Sequence, residues 1–216
     1  MTDAIQKLIE AVENADSAER LTDAMRDLAE ARSLLAIPIL IEALGYNNPG
    51  AAVAAVDGLV ALGKPAVEPV LQQLDGYNYG ARAWGLRVLA GIGDPRGLEL
   101  LLETAETDFA LSVRRAAAKG LGNICWQDMA AEKIPEARGK ILKSLLKVCK
   151  DPEWVVRYAA IAGLEGLGKA IAANNPVDVL PILEPLEEIA KNDPVLVVRA
   201  RAELARREWQ KKYYSA

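Results

Sequence analysis

Between Ile141 and Leu167 the apolar residues recur at helical spacing in two successive runs. Ile141, Leu142, Leu145, Leu146 and Cys149 follow an i, i+3, i+4 pattern, and after Asp151-Pro152 the pattern returns in Val156, Ala160, Gly163, Leu164 and Leu167. Such spacing puts one apolar stripe on each of two helices. No region alternates with period two for long enough to predict a sheet. Gly63, Gly93 and Gly168 stand just past the last apolar residue of a run, where a left-handed cap ends a helix most readily at glycine. Asp94-Pro95 and Pro65 then open the next run.

The paired runs repeat along the chain. "LGYNNPGAAVAAVDGLVALGKP" returns as "LDGYNYGARAWGLRVLAGIGDPR", so that Ala36–Gly63 aligns with Ala66–Gly93. "SVRRAAAKGLGNI", "VVRYAAIAGLEGLG" and "VVRARAELARRE" carry the second half again. With Arg82 as reference, its column holds Ala52, Arg114, Arg157 and Arg199. Ten positions on stand Leu62, Ile92, Ile124, Leu167 and Trp209. Two columns are small: Ala55, Gly85, Ala117, Ala160 and Ala202, then Gly58, Val88, Gly120, Gly163 and Ala205. Small side chains there predict close approach between the second helices of neighbouring units.

Stacked helix pairs that each touch only their neighbours form an α-solenoid. The expected fold is therefore all-α, an α-α superhelix of about six helix pairs. Residues 1–33 read as a more polar pair, a cap or docking element, and 34–212 as the solenoid. Trp126–Lys140 and Lys169–Pro176 read as insertions. Arg206, where earlier copies have Leu, predicts a last unit whose outer flank is a cap.

Composition narrows the chemistry. The 216 residues carry 26 Lys and Arg against 30 Asp and Glu, and this net charge of −4 gives no support for sequence-independent nucleic-acid binding. Histidine is absent, which removes the commonest general base, the commonest metal ligand and every Ser-His or Cys-His pair. No metal-ligand spacing is present. The start, "MTDAIQKLIEAVENAD", lacks a continuous apolar stretch, and no run approaches the ~20 apolar residues of a membrane span. A cytoplasmic, reduced protein is expected, with Cys125 and Cys149 able in principle to pair. Cys149 reads as core. Cys125 reads as lying near a helix C-terminus, where the dipole disfavours a thiolate. Glu165, Asp57 and Asp128 are possible acids.

Asp108, Asp151 and Asp193 each stand six residues before a column arginine: Arg114, Arg157 and Arg199. A turn carboxylate can accept from helix amides and from guanidinium groups of its own or the next unit, which predicts a structural ladder. A substrate role for these arginines is the other reading. Off the core stripe lie Trp154, Tyr158, Ile161 and Glu165 in the fifth unit. The fourth unit has Leu111, Arg115, Ala118 and Gly122 there, and the third has Tyr79, Ala83, Leu86 and Ala90. Tyr79, Leu111, Arg115, Trp154 and Tyr158 would make an apolar and basic strip on an inner surface, suited to a flat conjugated molecule with carboxylates. The same rings could instead pack between helices or against the insertions. Trp84 reads as packing, and Tyr46, Tyr77 and Phe109, in turns at one edge, as partner contacts.

The phrases "ENADSAERL", "LGYNNPGAAVAAVDGL", "LDGYNYGARAWGLRVLAGIGDPR", "TDFALSVRRAAAKGLG" and "KDPEWVVRYAA" extend over about residues 10–168. They resemble the F-type subunit of the heterodimeric phycocyanobilin lyases, and the repeat itself resembles their HEAT-like (armadillo-like) repeat. At about 30 residues the units are shorter than the usual HEAT length of about 40–47. The resemblance implies a lyase active only with an E-type partner subunit. Such a lyase attaches phycocyanobilin by a thioether to one cysteine of the phycocyanin alpha subunit. The acceptor supplies the thiol, so no histidine, metal or cofactor is needed and the bilin is the substrate. A related subunit that also isomerises the bilin carries Asn-His-Cys where this chain reads Asn123-Ile124-Cys125, so simple attachment is expected. A non-catalytic repeat scaffold that binds phycobiliproteins during phycobilisome assembly or turnover is the competing reading.

Overall fold

Side-chain chemistry sets where the helices begin. The Ser17 hydroxyl accepts from the Arg20 N–H at 3.2 Å, and the Asn48 side chain accepts from the Ala51 N–H at 3.1 Å with Pro49 following it. A computed structural model describes residues 2–74, 79–172 and 180–213, with residues 2, 79 and 210–213 described by backbone alone. The helices are α1 (Thr2–Glu13), α2 (Ala18–Glu30), α3 (Ile37–Ala43), α4 (Pro49–Leu62), α5 (Lys64–Gln73), α6 (Tyr79–Ile92), α7 (Leu98–Thr107), α8 (Leu111–Gly120), α9 (Ile134–Val148), α10 (Trp154–Ala172), α11 (Leu180–Asn192) and α12 (Leu196–Tyr213). No strand occurs among the described residues.

The chain divides into two compact units, 1–97 and 98–216. In the first, each odd-numbered helix packs on the even-numbered helix after it, and α2, α4 and α6 lie side by side. In the second, α8, α10 and α12 form the equivalent layer, with α7 and α9 packed beside them and α11 against α12. This is the expected stack of helix pairs.

The small columns are buried throughout, as the close-approach reading requires. A Cβ on Gly58 would lie 2.7 Å from that of Ala29, which lets α4 meet α2. A Cβ on Gly163 would collide with the Ala118 carbonyl oxygen, so α10 and α8 meet at backbone distance. Gly85 differs, because its free space is filled by Leu74 and Val70 at the base of the same helix pair.

Gly63 and Gly93 end α4 and α6 at φ 71°; at Gly63 ψ is −136°, so the cap is not the left-handed helical one expected, and a side chain there is strained by about 1–3 kcal/mol. Gly168 does not end its helix. α10 runs on to Ala172 because Ile171 and Ala172 are buried, and Gly168 is needed where the Trp209 ring lies against the helix. The insertions shrink accordingly. Lys169–Ala172 belong to α10, and the remainder of that segment lies outside the described residues. α9 begins at Ile134, so only two short 3-10 turns, Trp126–Asp128 and Ala131–Lys133, stand before it.

The aspartate–arginine ladder forms as the six-residue spacing predicts. Arg114 places Nε 2.8 Å and Nη2 3.1 Å from the Asp151 carboxylate of the next unit, while Nη1 donates to the carbonyls of Asp108 and Phe109 in its own turn. Arg157 repeats this with Asp193 at 2.7 and 3.0 Å and with the carbonyls of Asp151 and Pro152. Each aspartate also accepts the N–H two residues on, fixing the turn before the second helix. Arg199 donates to the Asp193 carbonyl at 2.8 Å, the last step of the series. On α12, Glu203 and Arg206 occupy the columns of Ile161 and Leu164 and pair with each other at 2.9 Å. Two apolar positions of the repeat thus carry an ion pair in the last copy.

Candidate functional site

The ladder rigidifies three turns, and each turn launches a second helix with an exposed apolar residue. Leu111, Trp154 and Leu196 are the first residues of α8, α10 and α12 and are 44%, 43% and 69% exposed. One turn along stand Arg115, Tyr158 and Ala200, all exposed. Residues four apart share a helix face, and α10 packs directly against both α8 and α12. Arg115, Trp154 and Tyr158 are therefore exposed near the N-terminal ends of two helices that pack against each other.

The columns do not stay exposed along the whole helix. Ile161, Ala118 and Leu86 are buried, and at Ala118 the covering helix is α10, whose Gly163 meets its carbonyl oxygen. Gly122 sits against Gly163 at that crossing. The usable strip is thus the N-terminal two turns of each helix. Tyr79 opens α6 in the first unit, and its side chain lies outside the described residues, as does Tyr77. Tyr46 is half-buried, with its hydroxyl raised above the ordinary range by burial and by Glu42. Phe109 is 70% exposed at the tip of the α7–α8 turn. Trp84 is partly covered, with the Arg87 guanidinium 4.5 Å above its ring.

Beneath Tyr158 lies a charged group that the repeat pattern concealed. The Arg201 guanidinium of α12 stands 5.8 Å from the Tyr158 ring centre and pairs with Glu165 of α10. Lys169 reaches the same carboxylate at 2.6 Å. Burial raises the Glu165 carboxyl, and hydrogen bonds from Lys169 and Arg201 outweigh that, so it titrates below the usual carboxylate range. Glu165 is therefore an ionised anchor rather than an acid. Asp57 and Asp128 are exposed.

Cys125 and Cys149 are not joined in a disulfide. Cys149 is buried in the core, which pushes its thiol up to about 12. Cys125 is half-buried beyond the end of α8, which stops at Gly120, and so lies outside the last helical turn where the dipole acts.

Residues 67–137 match HEAT repeats and residues 141–171 match a further HEAT repeat. "Phycocyanin alpha phycocyanobilin lyase CpcF" of Synechocystis sp. is 53% identical over 93% of this chain and 92% of its own length. The phycocyanobilin lyase subunit beta of Thermosynechococcus vestitus is 50% identical over 91% of this chain and 92% of its own. A chain of the solved complex of CpcE and CpcF of phycocyanin lyase from Nostoc sp. superposes with a TM-score of 0.73. It is 50% identical and covers 80% of this chain and 99% of that one. The chain belongs to the CpcF family.

Within this CpcF-family chain, two residues of the strip escaped the pattern reading. Leu196 shares the column of Leu111 and Trp154, so the repeat register alone would have found it. Arg201 occupies the column of Ala54, Trp84, Ala116 and Ala159, and a cation replacing a small residue of the preceding two copies was the available signal.

Proposed function

We propose that this chain is the F subunit of a heterodimeric lyase that attaches phycocyanobilin to a cysteine of the phycocyanin alpha subunit, together with an E-type partner. The observation that carries this is 53% identity to a phycocyanin alpha phycocyanobilin lyase along 93% of the chain. The partner follows from the solved CpcE–CpcF complex. In the reaction the acceptor S–H adds across the ethylidene double bond on ring A. A C–S bond forms, the proton goes to the neighbouring ring carbon, and nothing is oxidised or reduced. The lyase needs no nucleophile or cofactor of its own, which suits a chain without histidine. It contributes position, and holding two reactants in register removes much of the entropic barrier.

Trp154 and Tyr158 stack on the pyrrole rings and Arg115 pairs with a propionate. Phe109, Tyr46 and Tyr77 meet protein partners. The reaction takes place in the cytoplasm; no helix among the described residues is long and apolar enough to cross a membrane.

Co-expression of this chain, an E-type subunit, a bilin source and apo-phycocyanin alpha subunit should give a covalent, zinc-fluorescent band. Absence of that band with all components soluble refutes the assignment. Trp154→Ala, Tyr158→Ala and Arg115→Leu should each lower transfer by about fivefold or more, at ~1–3 kcal/mol per lost stacking or charged contact. Co-purification with the E-type subunit should survive all three changes.

A further inference from the structure

A linear tetrapyrrole such as phycocyanobilin carries two propionates, and Arg115 can answer only one. The second cation of the strip is under Tyr158. Arg201 is 89% covered, donates through Nη2 to Glu165, and keeps Nη1 buried without an acceptor. A buried donor left unpaired forfeits about 1–3 kcal/mol, so a native structure keeps one only where something else compensates. The ladder arginines show the contrast: Arg114 and Arg157 each place three nitrogens on oxygen acceptors.

Charge points the same way. Arg201 and Lys169 share the single carboxylate of Glu165, which leaves one positive charge in excess. An anion arriving at Arg201 would complete both the hydrogen-bond count and the charge balance. The position borders the surface strip, since the Tyr158 ring 5.8 Å from the guanidinium is 39% exposed.

We infer that Arg201 is a carboxylate-binding residue of the substrate site, taking a propionate of the bilin beside the ring stacked on Tyr158. Arg115 on α8 and Arg201 on α12 then flank the rings of α10, two cations for two carboxylates. This rests on the lyase assignment and adds a residue and a substrate group to it. A carboxylate could also come from a protein partner, and the test separates the two sources.

The purified complex with the E-type subunit is titrated with free-acid phycocyanobilin and with its dimethyl ester. Arg201→Met should weaken free-acid binding by about tenfold or more and leave the ester unchanged, because only a charged carboxylate answers the guanidinium. Arg201→Lys, which keeps the charge, should fall between Arg201→Met and the parent. Glu165 retains Lys169 in both variants, and unchanged thermal unfolding checks that the fold persists. Equal losses for acid and ester, or no loss for either, overturn the inference while leaving the lyase reading intact. A loss confined to assembly with the E-type subunit or the apo-acceptor assigns the anion to a protein and also overturns it. A parent complex that binds no bilin defeats both.

Discussion

Asp193 shows what a single ladder residue contributes. Its carboxylate holds Arg157, whose side chain is nine-tenths covered, and accepts the Val195 N–H. Burial raises its carboxyl, but the hydrogen bonds from Arg157 and Val195 prevail and hold it below the usual aspartate range. Asp193→Ala strands a buried guanidinium and should cost about 3–5 kcal/mol. The sign of the pH dependence follows. A carboxyl lowered in the folded state contributes fully above its unfolded value near ~3.9 and loses that contribution as pH falls through the folded value. Urea unfolding of parent and variant should therefore differ by a constant amount from neutral pH to about 5 and converge only in stronger acid. A difference that vanishes by pH 6 would refute the rung. The ladder was legible because three turns repeat one spacing. Arg201 was not, because its partners come from another unit and its role depends on which atoms are left unpaired.

At the scale of the helix, identical sequence signals divide by what the neighbours do. Gly63 and Gly168 both follow the last apolar residue of a run, yet only Gly63 leaves its helix. Its surroundings are open, and its φ of 71° is the constraint. Gly168 is held in a helix by Trp209, a residue of the following unit, which no local pattern reveals. Three alanine variants should accordingly rank in thermal unfolding. Gly63→Ala carries only the strain of a positive φ with ψ at −136°, about 1–3 kcal/mol. Gly168→Ala must displace the Trp209 ring, an overpacking cost of about 1–3 kcal/mol. Gly163→Ala meets the fixed carbonyl of Ala118 as well as Leu145 and should lose the most. A Gly163→Ala melting point above that of Gly63→Ala would show that α8 and α10 can separate at small cost. Helix periods and small columns were thus readable because each repeats five times, whereas helix ends and insertions were not, being set by contacts between copies.

For the whole molecule the open question is what leaves the enzyme. Attachment alone preserves the conjugation of phycocyanobilin beyond ring A, whereas an isomerising subunit shortens it. The Asn-His-Cys arrangement of the isomerising relative reads Asn123-Ile124-Cys125 here, and Ile124 is buried at 5% exposure rather than presented to a ligand. An imidazole there would face the core contacts that Ile124 makes, and no other histidine exists to replace it. Cys149 is deep in the core with its thiol pushed up to about 12, so it supplies no thiolate at neutral pH. The histidine of the isomerising relative thus has no counterpart at this position, and attachment without isomerisation is the expected outcome. The product from co-expression should absorb as an attached, unisomerised phycocyanobilin. Its bilin peptide after proteolysis should weigh the sum of free pigment and peptide, as an addition without loss requires. Mass alone does not separate the isomers, so the spectrum decides: a blue-shifted band from a shortened conjugated system would refute simple attachment.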